Sequence, residues 1–456
     1  LHYHRAPTRQ AIRDCKTACR GIAPGGEGLF VKLSEPAGEP LPSGARARST
    51  PPPVARLLTL LLPAALALYA NFQGVQQILI PLQVEAIDPR GKIANLTALT
   101  MLCSITGVLG LTAGGAASDA TRSRWGRRAP WLVAMALVSA LLSLALGPQR
   151  NLPGVALLYA GLWFTMNFFQ GALLAVLPDR VPEKRRSLAS SIFGFAAPLG
   201  SLVGVNLAAL APGEWGYSAL AAMLATMTAA FVIFAREDGY PAPDAGAAAS
   251  PGRRLRLTWR LLQSFAARDF SLAYTFRVLM FVAQFAINNY LLYILQDHIG
   301  AAHLPGHNAQ VAAGLLNSLR TIATVAAIFV GLWFANRTER RKLFAQVYAV
   351  AMAAAMLVPV VSPTWTGMLI FATLGGIAMG AYSTIDLDLM SRVLPNRHAA
   401  GRDLALLVMA GAAAQFLAPL LGGALIRFLG YGPLFIVAAA ITLLAGGVTA
   451  FIHGVR

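Results

Sequence analysis

Gly114-Gly115-Ala116-Ala117-Ser118-Asp119-Ala120-Thr121-Arg122-Ser123-Arg124-Trp125-Gly126-Arg127-Arg128-Ala129-Pro130-Trp131 is the stretch on which the reading of this chain turns. A lone carboxylate, Asp119, closes one apolar run, and four arginines crowd the connection before Pro130 opens the next. A carboxylate at a helix end, ringed by guanidinium groups, can tie neighbouring helix ends together. The flanking runs, 94 to 117 and 129 to 147, carry no charged residue. Each is close to the roughly 20 residues that cross a hydrocarbon core as a helix.

Outward from that loop the same alternation repeats. Twelve apolar runs are predicted as spanning helices: 57–80, 94–117, 129–147, 152–177, 187–211, 217–235, 271–296, 309–335, 343–361, 364–389, 404–426 and 433–453. Pro63, Pro198, Pro359 and Pro419 fall inside runs, which membrane helices tolerate because neighbours re-satisfy the freed backbone groups. The 456 residues are 56% hydrophobic and 12% charged, with a mean hydropathy of +0.59, more apolar surface than a water-soluble core can hide. An all-α integral membrane protein follows. The net charge of +18 does not imply nucleic acid, since the basic residues come in short bursts between apolar runs rather than on one polar face. Cys15, Cys19 and Cys103 are too few and scattered for a disulfide framework, and no His or Cys pair has a zinc spacing. No cofactor or metal is expected.

Basic loops resist translocation, so their distribution sets orientation. The even-numbered loops carry Arg122, Arg124, Arg127 and Arg128; then Arg180, Lys184, Arg185 and Arg186; then Arg236, Arg253, Arg254, Arg256, Arg260 and Arg268; then Arg337, Arg340, Arg341 and Lys342; then Arg392, Arg397 and Arg402. The odd-numbered loops carry Arg90, Lys92, Arg150 and Arg427. Both termini and the even loops are therefore expected in the cytoplasm, with the chain multi-pass in the cell membrane.

The organisation reads as a polar leader over 1–53, six helices over 54–235, a cytoplasmic linker over 236–270 and six more helices over 271–456. No Met precedes Met101, and part of the leader is expected to reflect a misassigned start. The halves echo each other: Leu177-Pro178 and Leu394-Pro395 are 217 positions apart, as are Asp119 and Asn336. Internal duplication is a common device of secondary transporters, which hold their solute between the halves.

The opening stretch resembles the G-x-x-x-D-R-x-G-R-R signature of the major facilitator superfamily. It takes the expanded S-D-x-x-x-S-R-x-G-R-R-x-P form of glycoside-cation symporters and sucrose-type transporters. Asn336-Arg337-Thr338-Glu339-Arg340-Arg341-Lys342 looks like a degenerate second copy, and Leu177-Pro178-Asp179-Arg180-Val181-Pro182 and the segment from Asp386 to Asp403 extend the likeness. The resemblance implies two pseudo-symmetric six-helix bundles. It also implies a gating cluster of Asp119, Arg124, Arg127 and Arg128, with Gly126 for the tight turn, that stabilises the state closed to the cytoplasm. A role in topology alone is the alternative.

Polar side chains inside spans normally face a cavity or another helix. Tyr69, Gln73, Gln76 and Gln77 share one face of the first helix, and Trp163, Asn167 and Gln170 one face of the fourth. The seventh offers Arg277, Gln284 and Asn288, the eighth Asn317 and Arg320, and the tenth Tyr382 and Asp386. The resemblance implies that helices one, four, seven and ten line a central cavity. Amides and rings suit a hydroxyl-rich solute, although each amide read alone is equally interhelical glue. Arg277 either joins the site or snorkels. Gly110 with Gly114, Gly200 with Gly204, and Gly376 with Gly380 are four apart and read as contact faces between moving bundles or as plain packing faces.

Cation coupling usually needs an intramembrane carboxylate; Asp386 and Asp388, with Arg277 nearby, are the coupling candidates. No carboxylate pair sits in the middle of the first half, where several sugar symporters of the superfamily keep theirs. The expected function is a secondary active carrier of a sugar, glycoside or similar small polar solute, with the membrane lipid and a co-transported proton or sodium as its other partners, acting as a monomer. The alternatives are an exporter of drugs or metabolites on the same fold and, more remotely, a membrane enzyme or receptor. No catalytic constellation is visible in the sequence, and no filter-like repeat speaks for a channel.

Overall fold

A computed structural model describes residues 54–121, 123, 125–235, 265–335, 341–392 and 400–451. The expected leader, most of the linker, residues 336–340 of the short second copy of the motif and Arg124 lie outside the described residues, as do the side chains of Arg341, Lys342 and Asp388. Among the described residues every regular element is helical. Twelve helices are long and apolar enough to cross a membrane. They are α1 Arg56–Ile87, α2 Lys92–Ala120, α3 Ala129–Leu146, α4 Leu152–Leu174, α5 Glu183–Leu210, α6 Glu214–Phe234, α7 Arg268–Asn288, α8 Ala309–Ala335, α9 Arg341–Val361, α10 Trp365–Arg392, α11 Ala400–Leu429 and α12 Tyr431–Ala450.

Two of these helices depart from the expected runs. The first continues seven residues past its expected end by passing through a π-helical turn at Val75–Leu79. The run expected over 271–296 breaks at Asn289, and the chain resumes as a short helical turn at Leu291–Tyr293 and a π-helical turn at Ile294–Gly300. Tyr290 fixes the break. Its hydroxyl donates to the Pro419 carbonyl at 2.9 Å and meets the Thr97 hydroxyl at 2.6 Å, which draws the ring out of the helix line. Gly422 and Gly423 leave room for that ring, since a Cβ on either would stand 2.7–2.8 Å from its atoms.

Packing follows a two-fold logic. In the first half α1 lies on α5 and α6, α2 on α4, and α3 on α4 and α6; in the second, α7 lies on α11 and α12, α8 on α10, and α9 on α10 and α12. Each of these pairs thus recurs six helices later. Between the halves the main contacts are α2 with α11 and α5 with α8, which are images of each other. The 217-residue offset also returns in the backbone: Gly213 opens α6 with φ +72° and Gly430 opens α12 with φ +88°, a region glycine enters without steric cost. These pairings make the chain two pseudo-symmetric six-helix bundles.

The glycine pairs join helices inside a half, and the reading of them as contacts between moving bundles does not hold. Gly110 and Gly114 meet the Phe164 and Phe168 backbone of α4, Gly200 meets Leu66 and Tyr69 of α1, and Gly376 and Gly380 meet Arg320 and Thr324 of α8. Small residues let those axes approach closely and make each half stiff. The outer surface is apolar, with Leu157, Leu210, Val361 and Phe428 each at least 75% exposed. Exposure on that scale fits lipid rather than water.

Candidate functional site

Where the halves face each other lies a cavity of about 730 Å³. Its wall comes from α1 (Gln73, Gln76, Gln77), α5 (Ser191, Phe195, Pro198, Ser201), the α7 region (Phe281, Gln284, Phe285, Asn288, Asn289), α8 (Arg320, Thr321, Thr324, Ile328), α10 (Met379, Ser383, Thr384) and α11 (Gln415). Among the described residues, seven carboxamides and three phenyl rings therefore surround one guanidinium and no carboxylate. The π-helical turn in α1 contains Gln76 and Gln77; by adding a residue to the helical turn it re-aims them so that three glutamines converge on one volume. Gln77 donates to Gln73, and Gln76 Nε2 donates across the seam to Asn289 Oδ1 at 3.2 Å. Gln284 Oε1 and Asn289 Nδ2 are buried in this wall without a protein partner. One accepts and the other donates, so the wall has unspent capacity of both kinds.

The other expected binding residues sit elsewhere. Tyr69, Trp163 and Gln170 knit α1 to α4, while Asn167 bonds back within α4: Gln170 donates to the Tyr69 hydroxyl at 3.2 Å, the Trp163 ring meets Phe72 edge-on at 4.9 Å, and Asn167 donates to the Trp163 carbonyl at 2.8 Å. These contacts lie within or between helices, and α4 takes no part in the cavity wall. Tyr382 is buried, stacks on Tyr348 at 4.8 Å and donates to Asp386. Asp386 also pairs with Arg277 at 3.2 Å, and the Arg277 guanidinium lies over Phe281, a wall residue, at 5.2 Å. Arg277 and Asp386 thus form a mostly buried ion pair linking α7 to α10, a step behind the cavity. The wall residues that sequence reasoning passed over, Ser201, Asn289, Thr321, Thr324 and Gln415 among them, are mostly single polar positions on their helices and carry no periodic signal.

The opening motif is a compact latch on one side of the molecule. Arg128 is 3% exposed. It donates from Nη2 to Asp119 Oδ1 at 2.6 Å and to Asp179 Oδ2 at 2.8 Å, and also donates to Ser118. Arg127 donates to the Asp119 carbonyl at 3.0 Å. Gly126 has φ +93°, as a tight turn between the two groups requires. Asp179, at the end of the short helix Val176–Arg180 that follows α4, is the partner the sequence did not reveal. Arg180 then donates to the Ala235 carbonyl after α6 at 2.6 Å, so the ends of α2, α3, α4 and α6 are tied together.

A second latch closes the opposite side. Lys92 Nζ sits 2.8 Å from Glu85 in its own half and 2.9 Å from Asp297 in the other. Gln296 donates to Glu85 at 2.9 Å, Tyr431 donates to Asp297 at 2.5 Å, and Tyr293 donates to the Pro81 carbonyl at 2.7 Å. Beside it, the Asp88 carboxylate accepts from Gly91 N and Asn95 Nδ2, both at 2.9 Å, bonds that hold its pKa below the ordinary carboxylate value. The seam is thus sealed on the Lys92 side, while the cavity extends toward the ends of α5, α8 and α10 on the Arg128 side. Among the described residues no group of three His, Cys, Asp or Glu is placed to hold a metal ion.

A family model described as Major Facilitator Superfamily matches residues 61–308 and again 275–455. Solute carrier family 45 member 4 of Homo sapiens is 31% identical over 136 residues, covering 26% of this chain and 17% of that protein, and its Mus musculus counterpart gives the same figures. The match thus spans about a sixth of those relatives. Among solved structures, the nucleoside transporter NupG superposes with a TM-score of 0.68 at 13% identity, over 87% of this chain and 100% of that one. The peptide transporter POT gives 0.64 at 14% identity, over 86% and 93%. A bacterial homologue of the human lysosomal transporter Spinster, inward-facing and unoccupied, gives 0.59 at 12% identity, over 89% and 95%.

Proposed function

This chain belongs to the Major Facilitator Superfamily, and from that premise we propose that it carries a small hydroxylated solute, a sugar or glycoside, across the cell membrane by alternating access. The observation that carries this reading is the amide-walled cavity at the seam, sealed on the Lys92 side. Amides donate and accept at once, and Phe195, Phe281 and Phe285 offer flat apolar faces to the C–H surfaces of a sugar ring. The likeness of the Asp119–Pro130 loop to glycoside-cation symporters supports the same solute class. The balance of basic residues supports a cytoplasmic location for the Arg128 side and both termini. In that orientation the cavity opens inward.

Transport then alternates between two arrangements of the halves. With the Lys92 latch made, solute leaves toward the cytoplasm; with that latch parted, the halves close on the Arg128 side and the cavity opens outward. The Arg277–Asp386 pair is the coupling element in this reading. It is buried and shared between α7 and α10, and it abuts the cavity wall through Phe281. A proton or sodium ion at Asp386 would loosen its hold on Arg277 and let the two helices part.

The test is uptake by purified protein in proteoliposomes under imposed proton or sodium gradients, with labelled mono- and disaccharides, nucleosides and hydrophobic drugs offered in parallel. Saturable, gradient-dependent sugar uptake is the expected result. Transport of the drugs alone, with no sugar entering, would establish export of apolar compounds instead.

A further inference from the structure

Arg320 is the one charged side chain among the described residues of the cavity wall, and its surroundings are incomplete for a charge. Its Nη1 donates to Asn288 Oδ1 at 2.8 Å, and its Nη2 reaches Asn317 Oδ1 at 3.4 Å, an oxygen that also accepts from Ser201. A guanidinium has five N–H donors, and here only neutral amides engage them. No carboxylate among the described residues pairs with it, and Asp386 of the neighbouring α10 is already held by Arg277 and Tyr382. The backbone beneath is fixed: α10 crosses at Gly376, whose added Cβ would stand 2.5 Å from the Arg320 carbonyl, and Thr324 donates to that carbonyl at 2.8 Å. The guanidinium therefore cannot leave for the interface, as a residue near a helix end can.

A cation in a low-dielectric wall with amide neighbours alone keeps most of its desolvation penalty until an anion reaches it. We infer that the anion arrives with the cargo, and that the solute is a hydroxylated monocarboxylate, a sugar acid rather than a neutral sugar. This rests on the reading of the cavity as a sugar site and narrows it. A carboxylate matches the guanidinium fork with two parallel N–H···O bonds. A phosphomonoester dianion would bring a second charge, and the described wall residues include no second cation to meet it. The hydroxyls of the same solute meet the glutamine side of the cavity. The pairing also favours occlusion of the loaded carrier, since closing around an ion pair costs less than closing around a lone charge.

The experiment compares binding of glucuronate, glucose and cyclohexanecarboxylate to the full-length purified protein by titration calorimetry, with glucuronate and glucose uptake into proteoliposomes alongside. Glucuronate is expected to bind at least about tenfold more tightly than either of the others. In Arg320→Gln the glucuronate-to-glucose ratio is expected to fall to near one, with Arg320→Lys retaining part of it. A second variant, Asn288→Asp, supplies an internal carboxylate beside the guanidinium and is expected to weaken glucuronate at least about tenfold while raising the melting temperature of the unloaded protein. Equal affinity for glucose and glucuronate, unaffected by Arg320→Gln or Asn288→Asp, overturns the inference and leaves the sugar reading standing. Cyclohexanecarboxylate binding as tightly as glucuronate overturns the hydroxylated part of it. Failure of both sugars to bind or enter overturns the two readings together.

Discussion

Replacing Asp297 with Asn isolates the attraction between the halves on the sealed side. The substitution leaves Lys92 paired with Glu85 in its own half and keeps an oxygen for the Tyr431 hydroxyl, so the cross-seam ion pair at 2.9 Å is what it removes. At that separation the bare Coulomb term is about 6 kcal/mol with an effective dielectric constant near 20. The side chains are 14% and 35% exposed, however, and solvent screening and desolvation return most of that, leaving about 1–2 kcal/mol by comparison with measured exposed and interfacial pairs. Roughly 1.4 kcal/mol is a factor of ten in an equilibrium, so the ratio of closed to open seam should fall about 5- to 30-fold. The measurement is electron–electron double resonance between spin labels at Arg150→Cys and Thr366→Cys, one in each half near the sealed side, in a chain whose native cysteines are Ser. A new, longer distance population should appear in Asp297→Asn and grow as salt is raised in the native protein. A change below about twofold in both would refute the assignment of Lys92–Asp297 as a latch.

Four further outcomes follow from the geometry. Arg128→Gln leaves the Asp119 and Asp179 carboxylates facing each other, the first 62% and the second 32% exposed, so that solvent screens much of their repulsion, and should cost about 1–3 kcal/mol, read as a drop in detergent melting temperature; Arg128→Lys should recover only part because it cannot fork to both acids. Gly200→Val drives a branched side chain against Tyr69, whose Cβ would lie 2.6 Å from the new Cβ, and should destabilise the first half by at least about 1–3 kcal/mol in the same assay. Asp386→Asn is expected to abolish concentrative uptake while sparing solute exchange; uptake that keeps its native pH dependence would remove Asp386 from the coupling step. Finally, because hydrogen bonds hold the Asp88 pKa below its unfolded value, its contribution is complete above the ordinary carboxylate range and fades as pH falls through the lowered value. Asp88→Asn should therefore lower the melting temperature at pH 7 and shrink that difference in acid.

Much of this architecture was legible because it is dictated by solvent. Apolar runs of membrane length fixed the helix count, and the duplicated Leu-Pro pairs foretold a symmetry that the packing and the Gly213–Gly430 pair reproduce. The Asp119–Arg128 cluster was visible for the same local reason, as an acid enclosed by arginines in one short loop. Asp179 was not, because it arrives from another helix and no periodicity links it to Arg128. The cavity was half legible. Gln73, Gln77, Gln284, Asn288 and Arg320 do converge there, yet the equally regular polar stripe of α4 is spent on α1 and on its own backbone. Spacing identifies a polar face; it does not say whether a helix or a hollow lies opposite. The break at Asn289 escaped notice because its cause, an anchor for the Tyr290 hydroxyl on Pro419, is remote in sequence.

The over-wide turns at Val75–Leu79, inside α1, and Ile294–Gly300, just past the break that ends α7, occupy nearly matching places in the two halves, both on the sealed flank of the hollow. A five-residue hydrogen-bond loop holds one residue more than an ordinary turn needs, and that surplus can migrate along the helix as a kink without breaking it. The end of α1 beyond Leu79 is thereby uncoupled from the body that Gly200 and Gly204 pack against α5. Shortening α1 by one residue within 75–79 should restore that coupling and leave a protein that folds and binds but does not cycle.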